Sequence, residues 1–301
     1  MAPSDRLGTI RVVVVLCALA NVVFHNFNLL AQAAGSWYQP EGVMTWFPGT
    51  ATEFLFSSGT ALLVLKALLI LFLISALVGF RTYFSLLVST ILYTLYLGTL
   101  RANSWSLSNG ILPLYLLFIL IWVPCGEAFS VDQLYRREYA HLKLDDRPSV
   151  AMGWSVFLVR AVIAFSFFLS GISKFQNTGP GWIHAWRFRQ FVLEDSLTFS
   201  HLGWVPHLLA APRIFWLLLA AAYLGFELFF PLILLVRDLR VIYLFAGVIL
   251  RSFVLLPQNI FFHDLILLQF VFYDWDRILP LRQALEQDRR KKVSLFPFKN
   301  P

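Results

Sequence analysis

The chain's apolar runs constrain its fold more than any other feature, because they repeatedly approach the ~20 residues that a helix needs to cross hydrocarbon. About eight such spans can be drawn, near 10–34, 59–79, 82–100, 111–125, 154–173, 214–236, 241–256 and 259–275. Only 14% of the residues are charged and 58% are hydrophobic, against roughly a quarter charged in ordinary soluble domains. The mean hydropathy is +0.70. The expectation is an all-α, polytopic membrane helical bundle with about eight transmembrane helices, forming one domain over residues 1–301. Pro113 and Pro124 fall at the start and end of the fourth span, where a helix tolerates them. Pro231 lies inside the sixth span and should kink it.

Basic residues orient this bundle. With the N-terminus inside, Arg6, Arg11, Arg81, Arg136, Arg137, Lys143, Arg147, Arg237, Arg240 and seven in the tail make sixteen on the cytoplasmic face, whereas Arg101, Arg187, Arg189 and Arg213 are the four opposite. By the positive-inside rule both termini are then cytoplasmic. The net charge of +7 is concentrated in the tail, 277–301, where Arg289-Arg290-Lys291-Lys292 would sit against anionic lipid. No nucleic-acid partner is implied. The expected location is a multi-pass position in a bacterial inner membrane or an endomembrane. A cleaved signal peptide is the competing reading, since Arg6 and Arg11 precede an apolar stretch and Ala31-Gln32-Ala33 resembles a cleavage site. Cleavage would leave seven spans and an external N-terminus.

The chemistry-bearing residues are those that the spans place at membrane depth: Lys66, Arg160, Lys174, Glu227, Arg251, His263 and Asp264. Ionisable groups in hydrocarbon cost a few kcal/mol each, so they face the bundle interior and find partners. Pairs such as Glu227–Arg251 or Asp264–Lys66 would pin helices; the whole set favours an internal polar site. Lys174 closes the aromatic run 165–174, and a cation there either snorkels or does chemistry. Arg160 lies fourteen residues upstream, within about 40° on the same helical face. Ser166, Ser170 and Lys174 form a row one turn apart. A Ser170–Lys174 nucleophile and base is conceivable, although small residues and serines also simply ease helix packing.

No metal is expected, because His25, His184, His201, His207 and His263 are too widely spaced for a cluster. Cys17 and Cys125 sit in apolar runs and offer neither a disulfide framework nor a zinc site. The segment 175–213 carries Trp182, Trp186, Trp204, Phe188, Phe191 and Phe199, too much aromatic area to leave in water. It should be ordered against the membrane surface or re-entrant. Trp182 and His184 are candidates for the mouth of the site.

The run Phe168-Leu169-Ser170-Gly171-Ile172-Ser173-Lys174-Phe175, followed by Trp182, resembles a segment of vitamin K-dependent gamma-carboxylase and its HTTM relatives. Upstream, Cys125-Gly126-Glu127-Ala128-Phe129-Ser130-Val131-Asp132 is similar to the family's segment ending in Ser-x-Asp. The resemblance implies a membrane enzyme in which Lys174 is the base acting on a reduced, vitamin K-like quinone with O2, and in which CO2 would be consumed if carboxylation is retained. Arg251 and His263 would then face an oxyanion or carboxylate of a peptide or small-molecule substrate, with Arg160, Glu227 and Asp264 around it. This chain departs from the carboxylase in having Ser173 where a second lysine stands, no histidine in 103–109, and Arg251 where a histidine is expected. The alternative is a non-enzymatic membrane subunit or small transporter with Lys66, Glu227, Arg251 and Asp264 as a charged relay.

Overall fold

A computed structural model describes residues 4–24, 45, 58–103, 110–138, 149–194, 210–258 and 263–273. Every regular element among them is helical. Helices α1 (Ser4–Phe24), α2 (Gly59–Val78), α3 (Thr82–Asn103) and α6 (Val150–Thr178) are long and apolar enough to cross a membrane. The others are α4 (Ile111–Ile121), α5 (Val131–Glu138), α7 (Ala185–Glu194), α8 (Arg213–Phe229), α9 (Leu232–Leu235), α10 (Leu239–Gln258) and α11 (His263–Leu267). Two 3-10 segments, Gly179–Ile183 and Leu268–Phe272, follow α6 and α11.

Local chemistry sets the ends of the long helices. Ser58 accepts from the Ala61 amide at 3.3 Å to start α2, and Gly79 ends it with φ 75°, its N–H returning to Ser75 O at 3.0 Å. The left-handed conformation favours glycine. Packing requires it too, since a Cβ there would run into the Ser130 side chain and stand 2.9 Å from Arg11 Nη1. Ser149 caps α6 by accepting from the Met152 amide at 3.0 Å. With 29 residues, α6 extends about 43 Å and outruns the ~30 Å hydrocarbon core. α2 is apolar all round but buries one stripe only, Leu62, Leu65, Leu69, Leu73 and Ala76; Leu63, Val64, Leu71 and Ile74 are exposed on its outer side. Such a helix turns one face to protein and the other to lipid.

Several expected spans change. The fourth stops at Ile121 rather than residue 125, because the chain turns at Trp122 ahead of Pro124. Pro231 does more than kink the sixth: α8 ends at Phe229 and the short α9 begins at Leu232. The eighth is an α-helical turn followed by a 3-10 segment. Residues 25–34 of the first span, the His201, His207 and Trp204 stretch, and the tail lie outside the described residues.

α1 packs on α2, α4 and α11, while α6 packs on α8, and α7 on α8 and α10. One large core runs through Val14, Leu69, Leu116, Phe167, Phe230 and Phe272. A smaller one, Phe188, Val192, Trp216, Ala220 and Tyr223, lies beneath α7.

A buried arginine and a half-buried aspartate tie α1, α3 and α5 together. Arg11 counts with the cytoplasmic loops in the sequence, but it is fully buried in α1 and donates from Nη1 to Cys125 O at 2.9 Å and from Nη2 to Phe129 O at 2.6 Å. Asp132 accepts from the Arg81 amide at 2.8 Å, the Thr82 amide at 2.7 Å and Thr82 Oγ1 at 2.8 Å. It therefore caps the start of α3. Ser130 caps α5 by accepting from the Gln133 amide at 2.9 Å. The Ser-x-Asp segment is thus a clamp between helices.

Candidate functional site

Three helices bring a lysine, a carboxylate and an arginine to one place. Lys174, near the end of α6, donates from Nζ to Glu227 Oε1 at 2.6 Å and Oε2 at 2.5 Å on α8. Ser170, one turn back, accepts from Lys174 at 3.2 Å and donates to Glu227 Oε1 at 3.3 Å. From α10, Arg251 Nη2 stands 4.0 Å from Glu227 Oε1. Glu227 and Arg251 are buried, whereas the Lys174 side chain keeps 19% exposure. The helices meet closely here because Gly171 has no side chain: a Cβ would lie 3.1 Å from Glu227 Cβ.

Aromatic faces enclose the cations. Lys174 Nζ lies 4.8 Å from the Tyr223 ring centre and 5.8 Å from that of Trp182. The Arg251 guanidinium covers one face of Phe167 at 4.5 Å, and Phe230 stacks with Phe167 at 4.1 Å. These contacts add to the Coulomb attraction in a desolvated setting. The resulting cluster holds two cations and one carboxylate. Arg251 Nε is buried without a hydrogen-bond partner among the described residues.

Of the residues expected at the site, Lys174, Glu227, Arg251 and Trp182 converge. Arg160 does not: it lies about 21 Å along α6 from Lys174, and its Nε donates to Val271 O at 3.1 Å. It lines a separate cleft of about 340 Å³ with Arg6 and Arg240. Asp264 is not paired with Lys66 as the sequence suggested. It accepts from the Gly110 amide at 3.1 Å and the Leu265 amide at 2.8 Å, tying α11 to the start of α4. Lys66 sits on α2, which packs on α1 and α3. His263 opens α11, and its side chain is outside the described residues. His184 is exposed beyond α6, its Nε2 3.4 Å from Arg213 Nη2.

The Ser170–Lys174 pair is oriented against nucleophilic use, since the serine accepts from the lysine and donates to Glu227. Ser166 bonds back to Val162 O at 2.8 Å, a packing role. Among the described residues no group of three or more His, Cys, Asp or Glu could hold a metal ion. Sequence reasoning missed Tyr223 and Phe167, because an aromatic in an apolar span carries no mark of the cation it will cover. Gly171 was visible inside the quoted motif, although only the fold shows that it admits Glu227.

Comparison with family models, curated proteins and solved structures returned no significant match.

Proposed function

We propose that the chain is an integral-membrane enzyme whose centre is Lys174, acting as a proton acceptor on a reduced quinone as in the gamma-carboxylase-like chemistry that its motifs resemble. The observation that carries this reading is the charge count around Glu227. Arg251 stays protonated under all ordinary conditions, so Arg251 and Glu227 alone are balanced. Glu227 therefore keeps a counter-charge from Arg251 whether or not Lys174 holds a proton. Lys174 can then take a proton from a substrate without stranding Glu227. Ser170 and Glu227 hold its Nζ in place, and partial exposure of the side chain leaves it approachable.

A quinone fits the residues present in one respect: the buried Arg251 Nε–H lacks an acceptor and could donate to a ring oxygen between aromatic walls. Such a group would supply the oxygen-dependent redox chemistry. The chain's own residues would bind, orient and deprotonate it. Both termini cytoplasmic and about eight spans complete the proposal; with Arg11 removed from the loop tally, fifteen basic residues still face four. Carboxylation remains part of the proposal only as the step that follows deprotonation.

The test is oxygen uptake by purified protein supplied with a reduced isoprenoid quinone. Wild type should consume both, and Lys174→Met should lose at least 100-fold per folded molecule while its thermal midpoint falls by only a few degrees. Quinol-independent, ion-dependent uptake into vesicles would instead establish a transporter.

A further inference from the structure

A second cleft, of about 290 Å³, lies beyond the end of α6, lined among the described residues by His184, Trp186, Arg189, Arg213 and Trp216. Every polar side chain on that wall can donate and none is a carboxylate. Arg189 is half-buried and has no ion-pair or hydrogen-bond partner among the described residues. Among the described residues Arg213 meets His184, at 3.4 Å. Trp216 is 1% exposed, and its indole Nε1 has no hydrogen-bond partner among the described residues.

Two permanent cations in planar fork geometry match carboxylate or phosphate oxygens. A desolvated indole N–H without an acceptor is a penalty that an incoming oxyanion would remove. The position is also shared with the first site. Phe188 is fully buried, its ring 6.5 Å from Trp216, 6.2 Å from Trp182 and 5.8 Å from Tyr223. One aromatic layer therefore separates the cleft from the rings around Lys174.

We propose that this cleft is an oxyanion-binding site, taking a carboxylate or phosphate group carried either by a soluble molecule or by a lipid headgroup. The volume suits one such group and a few attached atoms. Binding here does not depend on the enzymatic reading of Lys174, so the two proposals can fail separately.

The experiment uses the full chain in nanodiscs of phosphatidylcholine. In one arm inorganic phosphate, then acetate, is titrated against chloride at constant ionic strength; in the other the nanodiscs contain phosphatidylglycerol. A ligand of the folded state raises the thermal midpoint in proportion to occupancy, and constant ionic strength removes general screening. Wild type should be stabilised in at least one arm. Arg189→Gln/Arg213→Gln should bind at least tenfold more weakly there, and Trp216→Phe should fall between. Arg237→Gln, outside the cleft, should respond as wild type. Response to phosphate or acetate assigns a soluble ligand, and response to phosphatidylglycerol alone assigns a lipid. No response of wild type in either arm, or a full response of the double variant, overturns the proposal. Should the double variant fail to fold, Arg189→Gln alone carries the comparison, because that side chain has no partner to lose among the described residues.

Discussion

The Arg11–Asp132 clamp and the Lys174–Glu227–Arg251 cluster both bury charge, and they treat it in opposite ways. Arg11 and Asp132 are met largely by main-chain groups, two carbonyls for the one and two amides plus a hydroxyl for the other. Backbone partners are fixed in position and cannot exchange protons with a substrate. In the cluster the partners described for Lys174, Glu227 and Arg251 are side chains, Arg251 reaches Glu227 at 4.0 Å, and Arg251 Nε has no hydrogen-bond partner among the described residues. The first arrangement holds helices together. The second joins side chains on three helices, and it is there that the proposed proton transfer would take place.

The largest effect should separate the two regions in stability. Glu227→Gln would leave Lys174 and Arg251 facing each other without a counter-charge, a loss of about 3–5 kcal/mol for a broken buried pair. Denaturation in detergent or nanodiscs should show it, and a midpoint near wild type would mean that the cluster is already solvated. Arg11→Met comes next. It strands the Cys125 and Phe129 carbonyls and should cost about 3 kcal/mol, since hydrogen bonds to charged groups are worth ~1.5–3 kcal/mol each. Folded protein that remains should keep its turnover per molecule, and a selective fall in turnover would make the clamp functional.

Gly79→Ala should follow, at about 1–2 kcal/mol, because φ 75° disfavours a side chain and Ser130 and Arg11 crowd the position. Comparable should be Lys174→Met, at about 1–2 kcal/mol, because it removes two hydrogen bonds to Glu227 while Arg251 remains to balance the charge. A larger drop would place Lys174 with the clamp as a structural cation.

Topology can be read by cysteine labelling with little background. Cys17 and Cys125 are both buried, and burial pushes the Cys125 thiol up to about 11, which keeps it protonated and unreactive near neutral pH. Cysteines introduced at Trp186 and at Leu134 should label from opposite sides of sealed vesicles. Labelling of both from one side would contradict the proposed span count.

Much of the bundle was legible because hydrophobic runs report helices directly: α2 and α3 begin where the sequence places them, at Gly59 and Thr82. Glu227, Arg251 and Lys174 were legible as ionisable groups within apolar runs. Their mutual pairing was only half visible, with Glu227–Arg251 foreseen and Lys174–Glu227 not, since helix adjacency is a long-range fact absent from local periodicity. Arg11 was misplaced because a basic residue at the edge of a span reads equally as loop or core; its partners lie 114 and 118 residues away. The early end of α4 depends on a turn that apolar character up to Cys125 conceals.

Turnover of Lys174→Arg tests the central claim most directly. The guanidinium would share Glu227 with Arg251 and cost some stability, so turnover is compared per folded molecule; unlike lysine, it cannot accept a proton. Reduced-quinone-dependent oxygen uptake should therefore fall at least 100-fold. Uptake within a few fold of wild type would contradict the role of Lys174 as base and leave the cluster as a tie between α6, α8 and α10.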